Sequence, residues 1–156
     1  MKATPRRAEN RVAEELNLFF TAHGLSPIQR KPVIGRTGPD YTTNELGLII
    51  DEKSRRSVPK SYNPQGITRY GNLIGVQVRN LGLLLTEAGP SFSSPPSKTV
   101  TEWFEHMDAW KRNHFPGGIP AIVIRKPGSR IRNACFLIRE TDREVLRDRF
   151  RLIPSK

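Results

Sequence analysis

Apolar residues recur at helical spacing in three stretches of the chain. The first stretch follows Thr4, a residue type that favours helix N-caps, and it ends at Gly24, since glycine commonly follows the last residue of a helix. An apolar stripe along one side of a helix predicts that this side packs on a core. The stripes are formed by Val12, Leu16, Phe19 and Phe20, by Trp103, Phe104, Met107 and Trp110, and by Val145, Leu146 and Phe150. Core packing is the favoured interpretation of the second, aromatic stripe, and base stacking is the alternative.

Short apolar runs bounded by polar or turn residues predict strands between these helices. Such runs cover residues 46–50, 119–124 and 133–138. Residues 25–34, in which apolar residues stand among polar and basic ones, also predict a strand. Residues 73–79 alternate in part and predict a hairpin with residues 81–85, although a helix interrupted by glycines also fits this segment. The succession of helices and strands predicts an α/β fold in which helices flank a mixed central sheet.

The size and charge of the chain narrow its class. At 156 residues it is long enough for one hydrophobic core and short for two, so a single domain over residues 1–156 is expected. The formal net charge is +11, with 26 basic residues against 15 acidic ones, and the pI is near 10.5. This positive charge exceeds what solubility requires and is extreme for an enzyme that acts on small molecules. It therefore predicts a polyanionic partner, above all nucleic acid.

The composition disfavours several other kinds of site and location. The single cysteine, Cys135, lies in an apolar run, which predicts a buried, unreactive thiol in a reducing compartment. The histidines His23, His106 and His114 are scattered, so a structural zinc site is not expected. No apolar run approaches the ~18 residues of a membrane span, and residues 1–7 lack the apolar segment of a signal peptide. A cytoplasmic protein without a membrane partner is expected.

The candidate chemistry lies in residues 35–60, where an apolar strand ends in charged side chains. The apolar run leads directly into Asp51, Glu52 and Lys53. Because side chains alternate along a strand, Asp51 and Lys53 share one face of the sheet with Ile49, whereas Glu52 points to the other face. A carboxylate and an ammonium group are therefore neighbours at the end of a buried strand, where burial is costly unless the charges are paired or bound to a metal.

A second carboxylate, that of Asp40, is expected beside this strand end. Asp40 follows Pro39, and a hairpin through residues 44–45 would return the chain so that Asp40 lies next to Asp51. Two carboxylates beside a lysine suit Mg²⁺, which takes one or two carboxylates together with waters and phosphate oxygens. The ammonium group of Lys53 can orient or deprotonate a water molecule. These residues predict a metal site at one edge of the sheet.

The sequence Pro39-Asp40 followed by Asp51-Glu52-Lys53 resembles the motif of the PD-(D/E)XK nuclease superfamily. Asp51 takes the acidic position of the motif, where glutamate is commoner, and Lys53 takes the position of the lysine. The order of helix, glycine-containing loop, Pro-Asp and acid-x-Lys strand is similar to that of the archaeal-type Holliday junction resolvases. The resemblance covers roughly residues 1–60, and residues 61–98 fit it poorly and look like an insertion.

The resemblance implies a restriction-endonuclease-like fold and hydrolysis of DNA phosphodiester bonds with Mg²⁺ or, as a substitute, Mn²⁺. It implies that a glutamate of the first helix joins Asp40 and Asp51 as a metal-binding catalytic carboxylate. Glu9 is favoured because it lies near the edge of the apolar stripe, and the more solvent-facing Glu14 and Glu15 are the alternatives. The main-chain carbonyl of Glu52 is a further implied ligand, and Lys53 is implied to orient the attacking water. A resolvase would be a two-fold homodimer on branched, four-way junction DNA, since paired nicks need two equivalent active sites.

Basic and polar residues around the motif are candidates for contacts with DNA phosphates. Arg36 and Thr37 lie in a loop between two glycines, which let the backbone approach a phosphate closely. Arg55, Arg56 and Lys60 form a basic run after the strand. An ordinary polar turn and a solvated charge run are the respective alternatives.

Three functions stay open at this point. A structure-specific DNA endonuclease of the Holliday junction resolvase type is the favoured hypothesis. The first alternative is another nuclease of the same superfamily, of the restriction or repair type. The second is a non-catalytic, basic DNA-binding module whose acidic residues are structural, in which Glu9 would be a solvated helix residue paired with an arginine.

Overall fold

The computed structural model describes residues 5–31, 38–54, 62–126 and 128–153, and for residues 5–9 the backbone alone. The α-helices in these ranges are α1 (Pro5–Ala22), α2 (Lys98–His114) and α3 (Glu140–Arg151). The strands are β1 (Leu48–Ser54), β2 (Thr68–Tyr70), β3 (Leu73–Gln77), β4 (Phe92–Ser94), β5 (Ile119–Arg125) and β6 (Cys135–Arg139). Two 3₁₀ segments, Val78–Leu85 and Ile131–Asn133, complete the described secondary structure. No helix within these ranges is long and apolar enough to cross a membrane.

The six strands form one mixed sheet in the order β1-β5-β6-β3-β2-β4. β1 runs parallel to β5 and β2 runs parallel to β4, whereas the other neighbouring strands are antiparallel. In the parallel register Leu48 lies opposite Ile119, and Ser54 lies opposite Arg125. The predicted mixed α/β architecture, with helices against a central sheet, is confirmed.

Alternating side chains of the strands supply two hydrophobic cores, one on each face of the sheet. The core beneath α1 joins Val12 to Leu48 and Ile50 of β1. The core beneath α2 joins Phe104 to Ile49 of β1. Successive side chains of β1 therefore point alternately towards α1 and towards α2.

The segment predicted as a hairpin over residues 73–85 forms a strand followed by a 3₁₀ segment. β3 pairs with β2 and β6, and residues 81–85 belong to the 3₁₀ segment Val78–Leu85. This segment buries Val78, Leu81 and Leu84, and a spacing of three matches the three residues per turn of a 3₁₀ helix. The hairpin prediction was wrong. The leucine-rich run fits the three-residue period of a 3₁₀ helix as well as the two-residue period of a strand. β2, β3 and β4 all fall within residues 61–98, so the segment that looked like an insertion supplies strands to the central sheet.

The predicted strand over residues 25–34 is also wrong in its described part. Residues 25–31 contribute one antiparallel bridge, between Arg30 and Tyr41, and residues 32–34 lie outside the described ranges. The polar groups of this segment are bonded elsewhere, since the Asn17 side chain of α1 exchanges two hydrogen bonds of 2.8 Å with the main chain of Ile28. The segment is thus fastened to α1 instead of extending a sheet.

The strands predicted over residues 119–124 and 133–138 are confirmed as β5 and β6, which pair antiparallel with Ile122 opposite Leu137. Cys135, in β6, is fully buried in the core beneath α2. Burial raises the pKa of the Cys135 thiol, which therefore stays protonated. The predicted buried thiol is confirmed.

An ion pair fastens α2 to the end of the sheet. Arg139, the last residue of β6, donates two hydrogen bonds of 2.7 and 2.6 Å to the carboxylate of Asp108 in α2. Its guanidinium group also lies over the ring of Phe104, 5.3 Å from the centroid. The carboxylate raises the pKa of Arg139, and such a two-point contact is among the stronger hydrogen bonds in proteins. The pair therefore helps to hold α2 over the sheet, together with the apolar side chains of the core.

We expect Asp108→Asn to lower the free energy of unfolding by about 1–2 kcal/mol, because one charge-assisted hydrogen bond to Arg139 is lost in a partly buried place. Urea unfolding followed by circular dichroism measures this change. Asp148→Asn is the matched control, since Asp148 pairs with Arg151 on the surface with both side chains about 60% exposed. A loss for Asp108→Asn no larger than that for the control would contradict the assigned role of this ion pair.

Candidate active site

Asp40 is bound to the outer edge of β1 by three hydrogen bonds. Its main-chain N–H donates to the carbonyl oxygen of Ile50 and to Oδ1 of Asp51, both at 3.0 Å. In return the main-chain N–H of Glu52 donates to Oδ2 of Asp40 at 2.8 Å. The structure therefore brings the carboxylates of Asp40 and Asp51 together at the end of an apolar strand.

The preceding chain holds Asp40 in this position. The main-chain N–H of Lys31 donates to the carbonyl oxygen of Asp40 at 2.8 Å, and the neighbouring Tyr41 is fully buried in the core beneath α1. The side chain and main chain of Ser26 donate hydrogen bonds of 2.7 Å to the carboxylate of Glu45, and they hold the pKa of Glu45 below its ordinary value. The chain is thus fixed at Asp40 and in the residues that follow it.

Lys53 lies between a carboxylate and an aromatic ring. Its Nζ atom is 3.9 Å from Oδ2 of Asp51 and 5.4 Å from the ring centroid of Trp103 in α2. The side chains of Lys53 and Asp51 are 24% and 17% exposed, so the pair is shielded but still reachable from solvent. An ammonium group is attracted both by the carboxylate and by the face of the indole ring. Lys53 is therefore held beside Asp51 from two sides.

A cavity of about 290 Å³ opens over this pair, between β1 and α2. It is lined by Gly38, Pro39, Ile49, Asp51, Lys53, Trp103, His106, Met107 and Trp110. The residues from α2 occur at the helical spacing that places them on one side, which is the side facing β1. The cavity thus combines a charged floor with a largely apolar wall, an arrangement typical of binding sites.

Trp110, which forms part of the cavity wall, is held in place by two further contacts. Trp110 stacks on His114 with a centroid distance of 4.8 Å and an angle of 8° between the rings, and Nζ of Lys31 lies 5.1 Å from the Trp110 ring centroid. The sequence pattern favours core packing for Trp103 and Trp110, and both do pack against the core beneath α2. Both are also only half-buried and line the cavity, which the stripe alone does not reveal.

Glu52 and the helix that carries Glu9 lie on the face of the sheet opposite to Asp51 and Lys53. The Glu52 side chain points to the opposite face of the sheet, where its Oε1 lies 3.4 Å from Nε of Arg125. Glu9 lies in α1, the helix that packs on that opposite face, and its side chain is outside the described part of the structure. The structure therefore groups Asp40, Asp51 and Lys53, and the third carboxylate stays a prediction.

The residues predicted to contact DNA phosphates lie outside the described ranges. These residues are Arg36, Thr37, Arg55, Arg56 and Lys60. Two residues that flank them are described: Gly38 lines the cavity, and Ser54 is the last residue of β1. Their predicted role accordingly stays a prediction.

The acidic residues of the site fit a hard divalent cation with open coordination positions. Within the described ranges no three histidine, cysteine or acidic side chains are grouped closely enough to hold a metal ion. Two carboxylates, from Asp40 and Asp51, are brought together, and Mg²⁺ takes one or two carboxylates with waters and phosphate oxygens as its other ligands. The donor set therefore suits Mg²⁺ shared with a phosphate-containing substrate, and it does not suit a closed structural metal site.

Comparison of the chain with protein-family models, with curated proteins and with solved structures gave no match.

We expect Gly38→Ala to destabilise the loop that carries Asp40. Gly38 has a φ of +97°, and a Cβ atom at this position would collide with the indole ring of Trp110. Backbone strain of this kind costs about 1–3 kcal/mol, and the collision adds to that cost. Urea unfolding measures the loss.

Gly128→Ala separates the backbone strain from the collision with Trp110. Gly128 has a φ of +85°, but a Cβ atom there would meet no described atom within 4 Å. A Gly38→Ala variant no less stable than Gly128→Ala would show that Trp110 does not confine the loop.

Proposed function

We propose that the protein is a metal-dependent nuclease that hydrolyses phosphodiester bonds of DNA, with Asp40, Asp51 and Lys53 as its catalytic residues. The observation that supports this most directly is the pair of hydrogen bonds that joins Asp40 to Asp51 and to the main chain of Glu52 at the end of β1, beside Lys53. The net charge of +11 supports a polyanionic substrate. The accessible cavity over Asp51 and Lys53, which Pro39 also lines beside Asp40, provides room for a phosphate group and its neighbouring sugar.

In the proposed reaction Asp40 and Asp51 would hold Mg²⁺. When bound, Mg²⁺ neutralises charge that develops on the phosphate and lowers the pKa of a bound water molecule. Lys53 donates hydrogen bonds that orient the attacking water and stabilise negative charge on the phosphate oxygens. The hydrogen bond from the main-chain N–H of Glu52 fixes the carboxylate of Asp40 before substrate arrives, so little reorganisation is needed during the reaction.

We further propose that the substrate is branched DNA, as for the Holliday junction resolvases, and that two copies of the chain act as a homodimer. The order of the motif residues along the chain supports this finer proposal, together with the placement of Pro39 and Asp40 against the strand that carries Asp51 and Lys53. Symmetric cleavage of a four-way junction requires two equivalent active sites, which a two-fold dimer provides.

We expect Asp40→Asn and Asp51→Asn each to abolish cleavage in the presence of Mg²⁺ while DNA binding is retained. Asparagine keeps an oxygen that can accept the main-chain N–H, so the loop geometry survives and only the negative charge is lost. Cleavage of labelled four-way, flapped and linear duplex DNA is measured on gels, and binding is measured on the same substrates in Ca²⁺.

Asp148→Asn, a surface change in α3, is the control and should cleave like the unaltered chain. Paired nicks confined to the four-way junction would support the resolvase proposal, and cleavage of the other substrates would support another nuclease type. Retained cleavage by both asparagine variants would overturn the assignment of Asp40 and Asp51. Binding of all substrates without cleavage by the unaltered chain would favour the DNA-binding module.

We expect Trp103→Leu to slow cleavage, because Lys53 loses the ring that holds it beside Asp51. A cation–π contact is worth about 0.5–2 kcal/mol, which corresponds to a loss of roughly two- to thirtyfold in rate. Single-turnover cleavage with saturating enzyme measures the rate of the chemical step. Trp103→Phe keeps an aromatic face and should recover much of the rate, so equal rates for the leucine and phenylalanine variants would contradict this role.

A further inference from the structure

A second groove, of about 320 Å³, lies between α1 and the loop that follows β5. It is lined by Arg11, Glu14, Glu15, Arg130, Ile131 and Arg132. We infer that this groove, through Arg130, Arg132 and Arg11, binds the sugar–phosphate backbone of DNA outside the cavity. The inference rests on the proposed function for the identity of the polyanion, and it adds a binding surface that the motif residues do not include.

The groove and the cavity lie at the same end of the sheet. β1 and β5 are parallel with Ser54 opposite Arg125, so the chain leaves both strands at the end where Lys53 lies. The loop after β5 then carries Arg130 and Arg132, and Ile131 between them packs against the core beneath α1. The groove therefore opens on the α1 side of this end and the cavity on the α2 side. One turn of duplex DNA spans about 34 Å, and a duplex lying across this end can contact both.

Most arginines of the described ranges are engaged in holding the fold together. Four of them bond to acidic side chains within the domain: Arg69 to Glu140, Arg125 to Glu52, Arg139 to Asp108 and Arg151 to Asp148. Arg143 and Arg149 donate to main-chain carbonyl oxygens, among them those of Leu84 and Leu46. These guanidinium groups are committed to structural partners and are poorly placed to bind a ligand.

The arginines of the groove differ from these. Within the described part of the chain, the side chains of Arg11, Arg112, Arg130 and Arg132 form neither a hydrogen bond nor an ion pair, and all four are exposed. Three of the four line this one groove. A guanidinium group offers a planar pair of donors that matches phosphate oxygens, so three such groups along one groove suit a phosphate backbone.

The acidic residues of the groove define which ligand it suits. Glu14 and Glu15 line the groove together with the three arginines, so the lining has a net charge of +1. This charge is too small to hold an isolated phosphate ion strongly, because a surface contact is screened by salt. Successive phosphates of one strand, drawn by the positive charge of the whole chain, can engage the arginines together. Arg11 shares α1 with the two carboxylates, which weaken its attraction for phosphate, so Arg130 and Arg132 are the main contacts and Arg11 is the lesser one.

The inference is tested with single charge reversals in the Asp51→Asn variant, which prevents cleavage. We expect Arg130→Glu and Arg132→Glu each to weaken binding of a 30-base-pair duplex about tenfold and to reduce the slope of log K against log salt concentration by about one. Filter binding over a range of salt concentrations gives both quantities. Arg112→Glu is the matched control, since Arg112 is an exposed arginine of α2 that lines neither the cavity nor the groove.

Losses for Arg130→Glu and Arg132→Glu that exceed the loss for Arg112→Glu would support the groove, and equal losses for all three variants would overturn it. Cleavage is assayed separately with the unaltered active site. If the nuclease proposal fails, the unaltered chain does not cut DNA, yet the difference between the groove variants and the control persists. If only the groove assignment fails, cleavage is observed and this difference is absent.

Discussion

The hydrogen bonds between the Asp40 loop and β1 are the interaction on which the site depends. A loop carboxylate near a strand carboxylate is an unfavourable arrangement, because two negative charges repel each other at short range. Here the main-chain N–H groups of Asp40 and Glu52 each donate to the carboxylate of the other segment, so both negative charges are partly compensated by peptide dipoles. Lys53 compensates further from the same face of the strand. The backbone of one strand thus provides both the position and the electrostatic stabilisation of the acidic pair.

The alternation of side chains in β1 then divides the molecule into two functional faces. Asp51 and Lys53 point towards α2 and form the cavity floor, whereas Glu52 points towards α1 and pairs with Arg125 of the neighbouring strand. Because Ile49 and Ile50 are buried in separate cores, a shift of register in β1 would place apolar side chains at the cavity and charged ones in a core. The cores on the two faces therefore protect the geometry of the site.

Much of this arrangement could be predicted from local sequence, and the remainder depends on tertiary contacts. The placement of Asp51 and Lys53 on one face follows from the period of a strand, and the turn before β1 makes the approach of Asp40 foreseeable. The same use of periodicity gave a wrong prediction at Leu81 and Leu84. A continuous apolar run fits both the helical and the strand period, and only its tertiary contacts decide between them. The cavity wall from Trp103 to Trp110 depends on how α2 crosses the sheet, which an ion pair with distant Arg139 helps to fix. Sequence pattern alone does not encode such crossings.

The aromatic wall has one consequence for observing the protein in solution. The chain contains two tryptophans, and both line the cavity. Indole emission responds to the polarity and charge around the ring, and Lys31 and Lys53 lie close to the two rings. The tryptophan fluorescence of the protein therefore originates at the site itself, so a molecule that enters the cavity or displaces either lysine is expected to change this emission.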